Sequence, residues 1–161
     1  SGSLLITHWG LSGPAVLKLS AWGALELNDR AYHFPIMVNW IADKSYDEVY
    51  KALNDERHAN PRKRIYTNTM FNMPLRFWKS LMESAGIPDK STWADLSLKK
   101  VRSIAEELTM SVFQVTGKST FKEEFVTAGG GDLVEINFKK FESKILPNLF
   151  IAGEALNIDA I

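Results

Sequence analysis

The sequence predicts an α+β fold, with a β-rich, barrel-like part carrying an inserted all-helical subdomain of about four helices. Three observations point there. Residues 4–44 mix strand-like alternation with one helix; residues 45–109 show helical periodicity between capping signals; residues 110–161 return to short apolar segments divided by turns. This order gives three expected regions: a β-rich part, a helical subdomain, and returning β segments.

Leu4 to Thr7 reads as a short strand. "GLSGPAVLKLSAWG" supplies a helix, with Ser12 as N-cap and Pro14 in the first turn. In "YHFPIMVNW", Phe34, Ile36, Val38 and Trp40 alternate onto one face of a strand, and Pro35, which has no N–H, confines it to an edge or bulge. "SYDEVYKAL" opens with the capping box Ser45/Glu48 and sets Tyr46, Val49, Tyr50 and Leu53 at helical spacing, with Asp47 and Lys51 placed to pair outside. "MPLRFWKSLMESAG" carries Pro74 in its first turn, a stripe of Leu75, Trp78, Leu81, Met82 and Ala85, and Gly86 at the C-cap. "SLKKVRSIAEEL" repeats the stripe through Leu98, Val101, Ile104, Ala105 and Leu108, and "RIYTNTMF" is a candidate fourth helix. "SVFQVTGK", "KEEFVTA", "DLVEINF" and "NLFIAGE" then read as strands.

A chain of 161 residues can bury a sizeable core. Nineteen basic residues balance nineteen acidic ones, so there is no global attraction to nucleic acid or to an anionic membrane. The absence of cysteine removes disulfides and thiolate metal sites, and suits a reducing cytoplasm. No apolar run approaches the roughly 18 residues that would suggest a membrane span. Ser1-Gly2-Ser3 reads as an expression remnant, and both ends fall in structured-looking sequence, so a piece of a larger protein is expected.

Most motif-like stretches fail a physical test. "TGKST" (Thr116–Thr120) has Val112 where a phosphate-binding loop needs its first glycine, and no helix pattern follows. Read as G-x-G-x-x-G from Gly129, the triplet Gly129-Gly130-Gly131 meets Val134 at the third glycine and runs into a strand, so no helix N-terminus is there for a pyrophosphate. His8, His33 and His58 lie in separate segments without ligand spacing. "NPRKR" (Asn60–Arg64) is the densest basic cluster, yet residues 44–109 hold twelve Lys+Arg against nine Asp+Glu, a net of only +3, and the nearby aromatics fall on core stripes. A solvated face is the plain reading of that cluster.

Two segments together carry a resemblance. "THWGLSGPAVLKLSA" (Thr7–Ala21) and "FVTAGGGDLVEINFKKFESKILPNLFIAGEALNIDAI" (Phe125–Ile161) resemble signatures of the BaiN/YhiN-type NAD(P)/FAD-dependent oxidoreductases, also catalogued as aminoacetone-oxidase-like flavoproteins. The resemblance implies an insert, or cap, domain followed by strands returning to an FAD-binding domain of Rossmann type. That domain's Gly-rich N-terminal part would be the partner this chain lacks. It further implies cofactor-binding roles for Gly129, Gly130, Gly153, Glu154 and Asp159; Gly131 departs from the small apolar residue the family places after the glycine pair.

The expected function is therefore that of a cap over FAD, shaping the substrate side of a flavin-dependent oxidoreductase. The chain alone should be inactive and hold FAD weakly or not at all. No catalytic acid, base or nucleophile is identifiable, and the substrate is unknown. Two other readings stay open: a helical module binding a protein or single-stranded nucleic acid through the "PRKR" cluster, and a dimer formed through exposed strand edges.

Overall fold

The structure, a computed structural model, describes residues 2–119 and 129–158. The chain divides into two compact units, Pro35–Gln114 and the combination of Ser1–Phe34 with Val115–Ile161.

The second of these begins with a hairpin of β1 (Leu5–Ile6) and β2 (Leu11–Ser12), paired antiparallel. Its turn is closed by Thr7, whose backbone N–H and hydroxyl both donate to the Gly10 carbonyl at 2.8 Å. Helix α1 (Pro14–Trp22) follows, capped by Gly13 and not by Ser12 as its position suggested. Ser12 is held in the hairpin opposite Leu5, so the cap moves one residue on. There φ is +98°, and a β-carbon would sit 3.0 Å from the Ser3 carbonyl oxygen; glycine is the residue that tolerates both. A second helix, α2 (Ala24–Asp29), comes directly after Gly23 and was not anticipated.

Strand β3 (His33–Val38) alternates exposed and half-buried positions, with Phe34, Ile36 and Val38 turned inward. It belongs to a two-stranded sheet with β4 (Ser111–Thr116), so Pro35 has the edge location its missing N–H demands. Between them lie three α-helices. In α3 (Tyr46–Ala59) the capping box forms as read: the Ser45 hydroxyl accepts from the Glu48 N–H, and the Glu48 carboxylate accepts from the Ser45 N–H at 2.8 Å. Those bonds hold the Glu48 carboxyl below its ordinary range, the backbone bond being the larger cause. Lys51 pairs with Asp55 at 2.9 Å and not with Asp47, since the acid one turn onward lies within reach of its ammonium.

Helix α4 (Leu75–Ser84) buries Trp78, Leu81 and Met82, with Ala85 just beyond. Gly86, at φ +67°, ends it in the left-handed conformation. Helix α5 (Leu98–Thr109), capped by Ser97, buries Val101, Ile104, Ala105 and Leu108. Leu75 and Leu98, the first member of each predicted stripe, are exposed instead, because the first turn of each helix reaches past the core. "RIYTNTMF" makes only a 3₁₀ turn, Ile65–Thr67. There Ile65 and Tyr66 are buried and their polar groups engaged: Trp78 Nε1 donates to the Ile65 carbonyl at 2.8 Å, and the Tyr66 hydroxyl donates to the Ile87 carbonyl at 2.6 Å. Lys100 of α5 donates its ammonium to the Gly86 carbonyl at 2.8 Å, satisfying the open C-terminal end of α4.

Seventeen buried apolar residues form one cluster, all of them between Ile41 and Leu108. Trp78 and Trp93 are fully enclosed there. Tryptophan as core payload is what the helical stripes implied.

After β4 the described chain resumes at Gly129. "DLVEINF" is a 3₁₀ turn, Leu133–Glu135, leading into β5 (Ile136–Asn137), which pairs antiparallel with β6 (Glu142–Ser143). "NLFIAGE" is not a strand: Phe150 makes a single bridge to Glu142, and Gly153–Ala155 is a 3₁₀ turn. The expected strand "KEEFVTA" lies outside the described residues. The mixed α+β class holds, and among the described residues the strands form three two-stranded sheets without a closed barrel. Also among these residues, no helix is long and apolar enough to cross a membrane.

Candidate functional site: the glycine clasp

The glycine stretch and the Gly153–Glu154 turn, distant in sequence, are brought together. Gly131 and Leu156 form a parallel bridge: the Gly131 N–H donates to the Ala155 carbonyl at 2.9 Å, and the Asn157 N–H donates to the Gly131 carbonyl at 3.0 Å. Leu156 is 1% exposed and anchors the contact. Asp132 steadies the exit, its carboxylate accepting from the Val134 N–H at 3.0 Å.

The three glycines do different work. Gly130, at φ +140°, lies so close to the returning chain that a β-carbon would stand 2.5 Å from the Leu156 carbonyl carbon and 2.7 Å from the Asn157 nitrogen. Its missing side chain is what lets the two strands of backbone meet. Gly131 supplies both hydrogen bonds of the bridge. At Gly129 (φ +102°) and Gly153 (φ +68°), by contrast, no atom of the described residues lies within 4 Å of where a β-carbon would be. The N–H groups of Gly129, Gly130, Gly153 and Glu154 donate to no acceptor among the described residues. Glu154 is exposed. Asp159, the remaining site residue expected from the sequence, lies outside the described residues.

Leu156 and Asn157 were missed as parts of this arrangement. Only the apolar Leu156 two residues after the Gly-Glu pair hinted at an anchor, and nothing in the sequence tied it to Gly131.

The other motifs take quieter places. Lys118 of "TGKST" lies 4.7 Å over the Tyr32 ring, a cation–π contact on the surface; Thr120 lies outside the described residues. Arg62, Lys63 and Arg64 are exposed, while Tyr66 and Trp78 are buried and Phe71 and Phe77 pack half-buried against the core. Cations and aromatics are therefore separated, not interleaved.

Comparisons with known proteins agree with one another. A family profile described as "HI0933-like protein barrel and H2TH domain" matches residues 1–126. The chain is 29% identical over 97% of its length to the ribosomal RNA dihydrouridine synthase of Escherichia coli, and 26% identical over 96% to the protein of the same name in Haemophilus influenzae. It is 21% identical over its whole length to the 3-dehydro-bile acid delta(4,6)-reductase of Clostridium scindens. The chain spans 36% to 39% of the length of these relatives. With the profile covering most of the chain, it belongs to the HI0933-like family, the BaiN/YhiN-type flavoproteins that its first and last segments resemble.

Proposed function

We propose that this chain is the cap and re-entry segment of an FAD-dependent oxidoreductase, with the glycine clasp forming part of the flavin site. The observation that carries the reading is the pairing of Gly129–Gly131 with Gly153–Asn157. The Gly131–Leu156 bridge joins two separate parts of the chain, and each part carries a side-chain-free position, Gly129 and Gly153, open among the described residues.

Such a junction fits a flat, anionic cofactor on chemical grounds. Gly129 and Gly153 leave room for close approach, and the N–H groups can donate to carbonyl or phosphate oxygens. Glu154 can accept from a hydroxyl. FAD would supply the hydride chemistry, with a reduced nicotinamide as the source of electrons. This chain's own residues would bind, orient and exclude water.

The relatives' names support a reductive reaction: a dihydro product and a delta(4,6)-reductase both describe hydrogen added across a ring double bond. Of the two substrates named, ribosomal RNA belongs to the relatives with the higher identities, and an RNA base is the substrate we favour. The cap reading also accounts for the apolar surface of the clasp-bearing unit, where Trp22, Leu25 and Val134 are exposed. A Rossmann-type domain of the same protein is the partner that would cover it.

The test is the absorption spectrum of a longer protein of the relatives' length that contains this chain. Flavin bands that weaken in the Gly129→Val and Gly153→Val variants are expected, while the 161-residue chain should titrate with FAD only weakly. A colourless longer protein that takes up no added flavin would overturn the reading.

A further inference from the structure

The cluster Arg62-Lys63-Arg64 differs from an ordinary solvated charge run, because its backbone is fixed and its cations form no ion pair among the described residues. Four main-chain hydrogen bonds hold the loop. The Lys63 N–H donates to the Asn60 carbonyl at 3.0 Å, and the Ala94 N–H to the Pro61 carbonyl at 2.9 Å. The Trp93 N–H donates to the Lys63 carbonyl and the Ile65 N–H to the Ser91 carbonyl, each at 3.1 Å. Arg64 and Thr92 form an antiparallel bridge beside them. Lys90 precedes this seam and is also exposed.

Nearby carboxylates are occupied elsewhere. Asp55 is paired with Lys51, Glu56 accepts from Asn60 and Asn68, and Asp95 closes a capping box with Thr92. Asp89 is the acid left near the seam. Among the described residues, Arg62, Lys63, Arg64 and Lys90 form no ion pair.

Exposed cations on a fixed backbone suit a regular array of anions. Exposed aromatics for base stacking are absent from the seam, where Tyr66 and Trp93 are buried. That favours contact with the phosphates of folded RNA over capture of unstacked single strands. We infer that the seam of Arg62, Lys63, Arg64 and Lys90 is a phosphate-contacting surface that positions a structured RNA, an inference resting on the proposal that the substrate is an RNA base. The chain's zero net charge does not oppose it, since contact depends on local charge.

The test uses the 161-residue chain and a fluorescein-labelled RNA hairpin with a long stem, with binding read by anisotropy between about 50 and 200 mM salt. The R62A/K63A/R64A variant should bind on the order of tenfold or more weakly at low salt. Its slope of log K against log salt should be shallower by about 2 to 3, each lost phosphate contact removing somewhat under one. Lys79→Ala with Lys99→Ala, exposed on α4 and α5 and outside the bonded seam, should change neither quantity. R62K/R64K should keep the slope, and an unchanged melting temperature in every variant separates charge from folding. No binding by the parent chain, or equal slopes in parent and triple variant, would overturn the inference. So would equal capture of poly-glutamate with the same loop dependence, which would assign the seam to an acidic protein surface. Flavin content is not read here, so a longer protein that holds flavin but lacks this RNA dependence loses the seam and keeps the cap.

Discussion

The two units of this chain are held together by different physics. Residues 35–114 enclose seventeen buried apolar side chains, while the described part of the other unit buries only two, Ile136 and Leu156. The helical unit has the hydrophobic driving force of an independent domain. The clasp-bearing unit relies on main-chain hydrogen bonds, short hairpins and glycines at positive φ, and leaves large apolar side chains in water. The lesson is one of contrast: one unit encloses a core of its own, and the described part of the other is held chiefly by backbone bonds.

Excision should expose that contrast most sharply. Residues 35–114 alone are expected to melt in one cooperative transition with dispersed amide resonances, and a non-cooperative melt would remove the claim of self-sufficiency. Next in size is Trp78→Ala, which empties a fully buried site and orphans the Ile65 carbonyl. Urea denaturation should show a loss of about 3–5 kcal/mol, and a loss under 1 would mean the core collapses around the gap.

Gly130→Ala acts on the other unit. The new methyl would meet the Leu156 backbone, and the strained conformation adds about 1–3 kcal/mol. Amide exchange at Gly131 and Asn157 should accelerate while the helical core stays protected; unchanged exchange would disprove the close approach.

Ser45→Ala is milder, costing about 0.5–2 kcal/mol through loss of the α3 cap. The smallest effect concerns Glu48. Its carboxyl is depressed in the folded chain by the Ser45 N–H and then by the Ser45 hydroxyl. Its contribution is therefore complete above the unfolded glutamate value of about 4.3 and lost as pH falls through the lower folded value. Glu48→Gln should flatten the acid limb of the stability profile, and an identical limb would dismiss the capping box as an energetic feature.

Legibility in the sequence follows the same divide. The Ser45/Glu48 box, the Gly86 stop and the interiors of the α4 and α5 stripes were readable because local bonds and one apolar face determine them. Ser12 failed as a cap because a hairpin register, set by residues upstream, claimed it first. "DLVEINF" keeps only the two-residue strand Ile136–Asn137 after a 3₁₀ turn, and "NLFIAGE" makes a single bridge before its own 3₁₀ turn, since neither finds a long partner strand to complete a ladder. The family resemblance named the glycines, and the structure shows why Gly130 must be one. Its meeting with Leu156 is a contact between distant positions, which periodicity does not encode.

That meeting also sets a schedule. Closing the chain from Gly131 to Leu156 spends loop entropy before any bond rewards it, whereas the helices gain from neighbours only a turn away. The clasp should therefore be the slow, late event of assembly, closing after the helices have already formed.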